Sequence, residues 1–104
     1  MTIFARILPI AAFLLLPIHT VQAQEMEFPK AARSCVACHG KDGLGTSPGF
    51  PNLCGQKSVY MMEQLTLYRD KKRLNDMMNI TAAKLTNDDI RAIAEYYEEQ
   101  PACK

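Results

Sequence analysis

The motif Cys35-Val36-Ala37-Cys38-His39 is the sequence feature that most constrains what this chain can fold around. Two thiols three positions apart can form thioethers with the two vinyl groups on one edge of a haem. The histidine that follows at once then falls under the iron, where it can act as an axial ligand. A C-x-x-C-H motif is therefore typical of covalent attachment of haem c.

Other uses of a C-x-x-C pair fit this chain less well. A thioredoxin-like redox pair lies at a strand-to-helix junction in an α/β pattern, which this sequence lacks. A zinc site needs a second pair of ligands, and the other histidine, His19, lies in an apolar N-terminal segment. Cys35 and Cys38 are therefore predicted to bind one haem, with His39 as its proximal ligand.

The N-terminal segment has the features of a secretory signal peptide. Arg6 precedes an apolar stretch from Ile7 to Ile18, and Val21-Gln22-Ala23 places small side chains where a signal peptidase requires them. Cleavage is predicted after Ala23. The alternative is a retained membrane anchor, although the stretch is short for a span and contains two prolines, Pro9 and Pro17.

We therefore expect a signal peptide over residues 1–23 and one domain over residues 24–104. A domain of this size is stabilised only marginally by apolar burial, so a covalently held ligand or a disulfide is expected to supplement its core. The chain has 12 Lys and Arg against 11 Asp and Glu. Cleavage of the leader would remove Arg6, so the domain is expected to be close to neutral. This balance argues against nucleic acid as a partner, because nucleic-acid-binding domains are typically strongly basic.

The domain is predicted to be all-α, because helical patterns are present and no credible pair of strands is. Alanines in Lys30–Ala37 favour a short first helix. Residues 40–55 are dense in glycine and proline and predict a long ordered loop. A second helix is predicted from Ser58, as its N-cap, to Asp70, whereas residues 71–84 are expected to be less regular.

The third helix has the clearest sequence pattern. Thr86 and Asp89 form a variant capping box at its start, and Pro101 is expected to end it. Between them, apolar residues recur at helical spacing and define one face. Ile93 and Tyr97 on that face are expected to be core residues packed against the first helix.

A six-coordinate iron would need a second axial ligand. No histidine follows His39, so the candidates are the thioethers of four methionines, or no protein ligand at all: Met61, Met62, Met77 and Met78. Met61 and Met62 lie within the second predicted helix, where methionine usually packs in the core. Met77 and Met78 lie in the less regular stretch, which can cross the far face of a haem, and the pair itself does not indicate which one binds.

Several segments beyond the haem motif occur in an order known from one protein family. They are Cys35-Val-Ala-Cys-His-Gly-Lys-Asp-Gly43, Phe50-Pro-Asn-Leu-Cys-Gly-Gln56, Tyr60 with Gln64-Leu65, Arg73-Leu-Asn-Asp-Met-Met78, Ala82-Ala-Lys-Leu-Thr-Asn-Asp-Asp-Ile90 and Ala94-Glu-Tyr-Tyr97. In these segments the chain resembles the class I cytochromes c, especially the single-haem domains of the cytochrome c4 and c553 kind. The resemblance implies a small class I cytochrome c fold, with three main helices and long loops around one haem.

The resemblance also implies a role for individual residues around the proximal side of the haem. Cys35 and Cys38 would hold the haem by thioethers, and His39 would be the proximal ligand. Pro51 matches the proline that follows the family's glycine-rich loop. Its carbonyl would bind the other nitrogen of His39 and fix the orientation of the ring.

The distal side can be assigned in the same way. The family's distal methionine stands seven residues before the leucine that opens the last helix, which is Leu85 here. This spacing selects Met78, with Met77 as the alternative. Arg73 matches an arginine upstream of the methionine and would contact a haem propionate, although a solvated surface position is the ordinary alternative.

Two features depart from the family pattern. Cytochrome c4 has two such domains in tandem, whereas this chain has one. Cys54 stands where the family usually has a small residue such as alanine, and Cys103 lies near the C-terminus. These two cysteines are an even pair in an oxidising compartment, so a Cys54–Cys103 disulfide is one hypothesis and two unrelated thiols is the other.

The function expected from the resemblance is that of a periplasmic single-electron carrier without substrate chemistry of its own. Its partners would be a respiratory complex, a terminal oxidase or a periplasmic dehydrogenase, and it would meet the membrane only through partners or an uncleaved leader. One alternative is a cytochrome subunit of a larger oxidoreductase acting on a sulfur compound or an alcohol. Another is a haem enzyme or gas-binding protein with an open sixth site, since axial ligation determines what a haem protein does.

Overall fold

The computed structural model describes residues 2–5, 7–22 and 25–104. The predicted cleavage site between Ala23 and Gln24, and the basic residue Arg6, lie outside the described residues. Residues 2–5 and 7–22 of the predicted leader are exposed and have no regular secondary structure. Among the described residues, no helix combines the length and the apolar character needed to cross a bilayer.

The described domain is helical. A 3₁₀ segment, Lys30–Cys35, leads directly into α1, Val36–His39. The helices α2, Ser58–Arg69, α3, Asp76–Ala82, and α4, Asn87–Glu98, follow, and a short 3₁₀ turn spans Pro101–Cys103. Residues 2–5, 7–22 and 25–104 contain no strand, so the all-α fold class is confirmed.

The core forms where α4 packs against α2 and against the 3₁₀ segment before α1. On α4 the side chains at i, i+3, i+4 and i+7 are buried: Ile90, Ile93, Ala94 and Tyr97. They belong to one core cluster with Ala32, from the 3₁₀ segment before α1, and Leu65, from α2. Ile93 and Tyr97 are the largest fully buried side chains of the described domain, as the helical periodicity of the sequence predicted.

The start of α4 also follows the sequence prediction. The Thr86 hydroxyl accepts a hydrogen bond from the Asp89 N–H at 3.1 Å, and the Asp89 carboxylate accepts one from the Thr86 N–H at 2.9 Å. These reciprocal bonds hold the pKa of Asp89 below its ordinary value. The predicted capping box is therefore confirmed.

Two local predictions were wrong. Residues 71–84, expected to be irregular, contain α3, whose N-cap Asn75 accepts a hydrogen bond from the Met78 N–H at 2.9 Å. Seven residues are too few for a helical periodicity to be visible in the sequence. Ser58 is the first residue of α2 and not its N-cap; Lys57 occupies the N-cap position and its side chain makes no capping bond.

Candidate functional site

An open cavity of about 270 Å³ lies at the centre of the helical domain. Residues from every α-helix, from the loop after α1 and from the turn before α3 line it: Cys35, His39, Pro51, Asn52, Leu53, Gln56, Tyr60, Met61, Gln64, Leu65, Tyr68, Arg73, Met78 and Ile93. Most of these side chains present carbon or sulfur to the cavity. Such a site suits a large, mainly apolar ligand with a few polar anchors.

His39 enters this cavity from the last position of α1 and is only 8% exposed. Its Nδ1 donates a hydrogen bond to the carbonyl oxygen of Pro51 at 2.8 Å. Because a carbonyl can only accept, Nδ1 carries the proton and Nε2 keeps its lone pair. The ring is thus oriented and ready to bind a metal through Nε2.

The loop that carries Pro51 is held on α4 by two tyrosines. The Tyr97 hydroxyl donates to the carbonyl of Gly40 at 2.9 Å, and the Tyr96 hydroxyl donates to the carbonyl of Lys41 at 2.8 Å. At the far end of the loop, the Gly55 N–H donates to the carbonyl of Tyr97 at 2.9 Å. These bonds tie both ends of the loop to one helix, so α4 sets the position of the Pro51 carbonyl.

One glycine in the loop is required by a close approach. Gly43 has φ +80°, and a Cβ at this position would lie 2.5 Å from the backbone nitrogen of Cys54. The Gly43 carbonyl also accepts from the Leu53 N–H at 2.7 Å. The two ends of the loop therefore touch at Gly43, which closes the loop beside the cavity.

The two cysteines of the motif lie on the same helical segment as His39. Cys35 is buried and lines the cavity, whereas Cys38 is half-buried. Neither is in a disulfide. Burial raises the pKa of the Cys35 thiol, and nearby Cys38 raises it further, while a hydrogen bond with Ser34 lowers it. Cys35 is thus a protonated, apolar-facing thiol at neutral pH.

The methionines differ in their access to the cavity. Met78 is half-buried, lines the cavity and packs against the core, whereas Met77 has 56% of its surface exposed and does not line it. Met61 also lines the cavity but is 5% exposed and belongs to the core. Two of the four candidate thioethers, Met61 and Met78, are therefore in reach of a ligand bound there.

Arg73 lies at the edge of the cavity, in the turn between α2 and α3. Its Nη1 donates to Oε1 of Gln64 at 2.6 Å, and its guanidinium stacks over the Tyr68 ring at 4.7 Å from the centroid. These two contacts keep the exposed side chain beside the cavity.

Cys54 and Cys103 are brought together although they are 49 positions apart in the sequence. Their Cα atoms are 5.5 Å apart, within the range that a disulfide spans, and the structure joins their sulfur atoms. Cys54 lies at the far end of the loop that carries Pro51, and Cys103 lies in the C-terminal 3₁₀ turn.

The residues around the cavity fit a covalently held haem. Two thiols without disulfide partners precede a histidine whose Nε2 is free to bind a metal, and all three lie on one helical segment, of which Cys35 and His39 line the cavity. The remaining wall is mainly apolar, and one arginine at the rim can meet a carboxylate. This donor set matches haem iron and its propionates.

Comparison with known proteins agrees with this fit. Residues 29–99 match the family model described as Cytochrome c, and the chain belongs to the cytochrome c family. Members of this family are electron-transfer proteins with covalently bound haem c, so haem c is the cofactor of this chain.

Individual relatives place the chain near the class I cytochromes of the c4 kind. It is 43% identical over 70 residues to cytochrome c-554(548) of Halomonas halodenitrificans, covering 64% of this chain and 84% of that protein. It is 43% identical over 70 residues to cytochrome c4 of Pseudomonas aeruginosa, covering 62% of this chain but 35% of that protein. A thiosulfate dehydrogenase electron acceptor of Stutzerimonas stutzeri is 41% identical over 66 residues, covering 61% of this chain and 31% of that protein.

Solved structures also place the chain near cytochrome c4. The crystal structure of reduced recombinant cytochrome c4 from Pseudomonas stutzeri superposes with a TM-score of 0.60 at 41% identity, over 64% of this chain and 37% of that one. The chain thus spans about a third of the length of the cytochrome c4 relatives that it matches, and most of the Halomonas relative.

The structural roles of three polar residues were not identified from the sequence. Asn75 and Asn79 flank Met78 and make hydrogen bonds across the turn before α3. Glu98 faces the first residue of α2. Only Asn75 had a usable signal in the sequence, because asparagine is one of the residues preferred at a helix N-cap.

Proposed function

We propose that this chain is a periplasmic single-electron carrier whose haem c is ligated by His39 and Met78. The observation that carries the proposal is that His39, oriented by Pro51, and Met78 line the same cavity. When bound, the haem supplies an iron centre that gains and loses one electron. Histidine and methionine together raise the reduction potential relative to histidine alone, which suits a carrier between donors and acceptors.

The protein residues would perform three tasks. Cys35 and Cys38 would hold the haem through thioethers, so that it stays bound in both oxidation states. Hydrogen bonding to Pro51 keeps His39 in one tautomer and makes its Nε2 a better donor. The apolar wall excludes water, which reduces the reorganisation that accompanies a change of charge.

Met78 is preferred to the other methionines as the distal ligand. Met77 is exposed and outside the cavity wall. Met61 lines the cavity but is a buried residue of α2 within the core cluster. Met78 lines the cavity from α3, at the end of the turn that carries Arg73.

Arg73 is proposed to pair with a haem propionate. Its guanidinium is held at the cavity edge by Gln64 and Tyr68 and has no carboxylate partner among the described residues. A charge-assisted hydrogen bond to a carboxylate would use its remaining donors.

A second proposal concerns the setting of the carrier. Two relatives are named thiosulfate dehydrogenase electron acceptors, which favours a role as the electron-accepting subunit of a larger oxidoreductase. Affinity purification of the tagged chain from its native periplasm distinguishes the two settings. A stoichiometric catalytic subunit would support the subunit role, and a monomeric cytochrome would support the free carrier.

Export is proposed to proceed through residues 1–23 as a cleaved leader. N-terminal sequencing of the haem-containing protein from the periplasmic fraction tests this. A mature protein that begins at Gln24 supports cleavage after Ala23, whereas a membrane-bound protein that begins at Met1 would support the retained anchor.

The ligand assignment is tested by visible and near-infrared spectra of the purified holoprotein and its variants. The weak sulfur-to-iron band of the ferric protein should be present and should disappear in Met78→Ala. Met61→Leu and Met77→Leu are the matched controls and should keep the band. If the native ferric protein lacks the band and its ferrous form binds carbon monoxide readily, the sixth site is open and the carrier proposal is wrong.

A further inference from the structure

The side chain of Asn79 joins three parts of the chain around the distal side of the cavity. Its Nδ2 donates to the carbonyls of Tyr68, in the last turn of α2, and of Arg73, in the following turn, each at 2.8 Å. Its Oδ1 accepts from the Asn75 N–H, also at 2.8 Å. One half-buried amide thereby uses both of its N–H groups and its oxygen on backbone atoms.

Asn75 completes the arrangement from the other side. Its Oδ1 accepts from the Met78 N–H at 2.9 Å, and its carbonyl accepts from the Asn79 N–H at 2.8 Å. The two asparagines thus bond each other through side chain and backbone, with Met78 between them in sequence. The start of α3 is fixed to the end of α2 at the residue proposed to bind iron.

A methionine ligand depends on such support more than a histidine does. Its thioether is a neutral, weak donor at the end of a side chain with three rotatable bonds, so binding must offset the loss of that freedom. If the backbone already holds Met78 in the position it has when bound, less conformational freedom is lost when the sulfur binds. A residue that fixes the backbone therefore strengthens the iron–sulfur bond without touching it.

We infer that Asn79 is a positioning residue for the distal ligand, holding Met78 in place by bridging the end of α2, the Arg73 turn and the start of α3. The inference rests on the proposed function, because it takes Met78 as the ligand. Asn79→Ala removes all three side-chain hydrogen bonds. The loosened turn lets the sulfur leave the iron more readily, and an added ligand that competes with it binds more tightly.

Imidazole is a suitable competing ligand, because it binds ferric haem and its binding is read directly from the spectrum. In the Asn79→Ala holoprotein we expect the sulfur-to-iron band to remain in buffer and the imidazole affinity to rise by about tenfold. This rise corresponds to about 1.4 kcal/mol, a part of what the three lost hydrogen bonds contribute. Asn79→Asp keeps the acceptor for the Asn75 N–H but loses both donors, and it should also bind imidazole more tightly. If Asn79→Ala yields no holoprotein, Asn79→Asp takes its place in the comparison with the native protein.

Thr86→Ala is the matched control for a general loss of stability. Thr86 caps α4 and takes no part in the hydrogen bonds of Asn75 and Asn79 around Met78. Its replacement by alanine should destabilise the fold about as much as Asn79→Ala does, without raising the imidazole affinity. Equal increases in Thr86→Ala and Asn79→Ala would overturn the inference, as would an unchanged affinity in both Asn79 variants.

The spectra of Met78→Ala separate this inference from the proposed function. A native band that is lost in Met78→Ala, together with unchanged imidazole affinity in the Asn79 variants, leaves the carrier proposal intact and refutes the positioning role. A native protein without the band, or a band that survives in Met78→Ala, refutes the proposed ligation and the positioning role with it.

Discussion

The hydroxyl of Tyr97 illustrates how a single core residue determines the geometry of the site. The ring is fully buried in the core, and its hydroxyl bonds the carbonyl of Gly40, the residue directly after His39. Burial raises the pKa of this phenol, and the neighbouring Cys35, Tyr96 and Asp42 raise it further. The residue is therefore both a core side chain and a neutral hydrogen-bond donor to the segment that carries the C-x-x-C-H motif.

Replacing Tyr97 by phenylalanine should lower the free energy of unfolding by about 1–2 kcal/mol, because the Gly40 carbonyl loses its partner in a buried position. The variant should also lose less stability in alkali. The folded protein holds the phenol proton more tightly than the unfolded chain, so stability falls as the pH rises above the ordinary value near 10. Urea unfolding of the holoproteins at pH 7 and in the alkaline range measures both effects.

Tyr60→Phe is the control for this experiment. Tyr60 is 49% exposed, so removing its hydroxyl should change neither the stability at pH 7 nor its alkaline decline. A Tyr97→Phe protein as stable as the native one at pH 7 would show that the bond to Gly40 contributes nothing to the fold.

At the scale of the element, the starts of α2 and α4 differ in whether the residues next to them in the sequence cap the helix. α4 is capped by residues of its own, Thr86 and Asp89, and this box was recognisable in the sequence. α2 is not capped by its own N-cap residue, Lys57. Instead Glu98, at the end of α4, faces the hydroxyl and the backbone N–H of Ser58, and these donors hold its pKa below the ordinary value. A carboxylate at a helix N-terminus also interacts favourably with the helix dipole.

Glu98→Ala should therefore reduce stability at neutral pH by removing this substitute cap. The folded pKa of Glu98 is lowered, so its contribution is complete above the ordinary value of about 4.3 and is lost as the pH falls through the lowered folded value. The difference in unfolding free energy between native protein and variant should thus be largest near pH 7 and vanish in strong acid. Urea unfolding across this pH range provides the measurement.

Glu95→Ala is the matched control, since Glu95 is an exposed glutamate of the same helix for which no pairing with Ser58 exists. It should leave the stability and its pH dependence nearly unchanged. A difference between native protein and Glu98→Ala that is constant with pH would contradict an ionised Glu98 as the cap of α2.

At the scale of the whole molecule, the C-terminus is attached to the loop beside the cavity. Cys54 lies at the far end of the loop that carries Pro51, before the start of α2, and Cys103 lies after α4. The Gly55 N–H binds the Tyr97 carbonyl at the same junction. We propose that a disulfide forms here in the oxidising periplasm and supplements a core that is small for independent stability.

Replacing both Cys54 and Cys103 by alanine should lower the free energy of unfolding by about 2–4 kcal/mol, because the unfolded chain gains the freedom of a long open loop. Guanidinium unfolding of the holoprotein measures this loss. A reductant should lower the stability of the native protein toward that of the double variant and leave the variant itself unchanged.

Thiol labelling of the unreduced, denatured holoprotein tests the bond independently. Complete protection of Cys54 and Cys103 from alkylation is expected. If both residues are alkylated without reduction, they are separate thiols, and the tail is held by packing alone.

The sequence was informative wherever a property depends on residues close together along the chain. The Cys35–His39 motif predicted the haem, the spacing of Ile90 to Tyr97 predicted the buried face of α4, and the Thr86–Asp89 pair predicted its cap. The all-α class followed from helical periodicity in the absence of strand patterns. Each of these depends on one helix or on one turn, whose geometry repeats from protein to protein.

The tertiary structure decided what depends on residues far apart. It brings Met78 to the cavity that His39 enters, shows a short helix α3 where no periodicity was visible, and places Glu98 beside Ser58, whose hydrogen bonding lowers the pKa of that carboxylate. It also connects Asn79 to the end of α2. A single polar side chain has many possible partners along the sequence, and only the packing of the helices selects one, because a buried or half-buried donor must find an acceptor within about 3 Å.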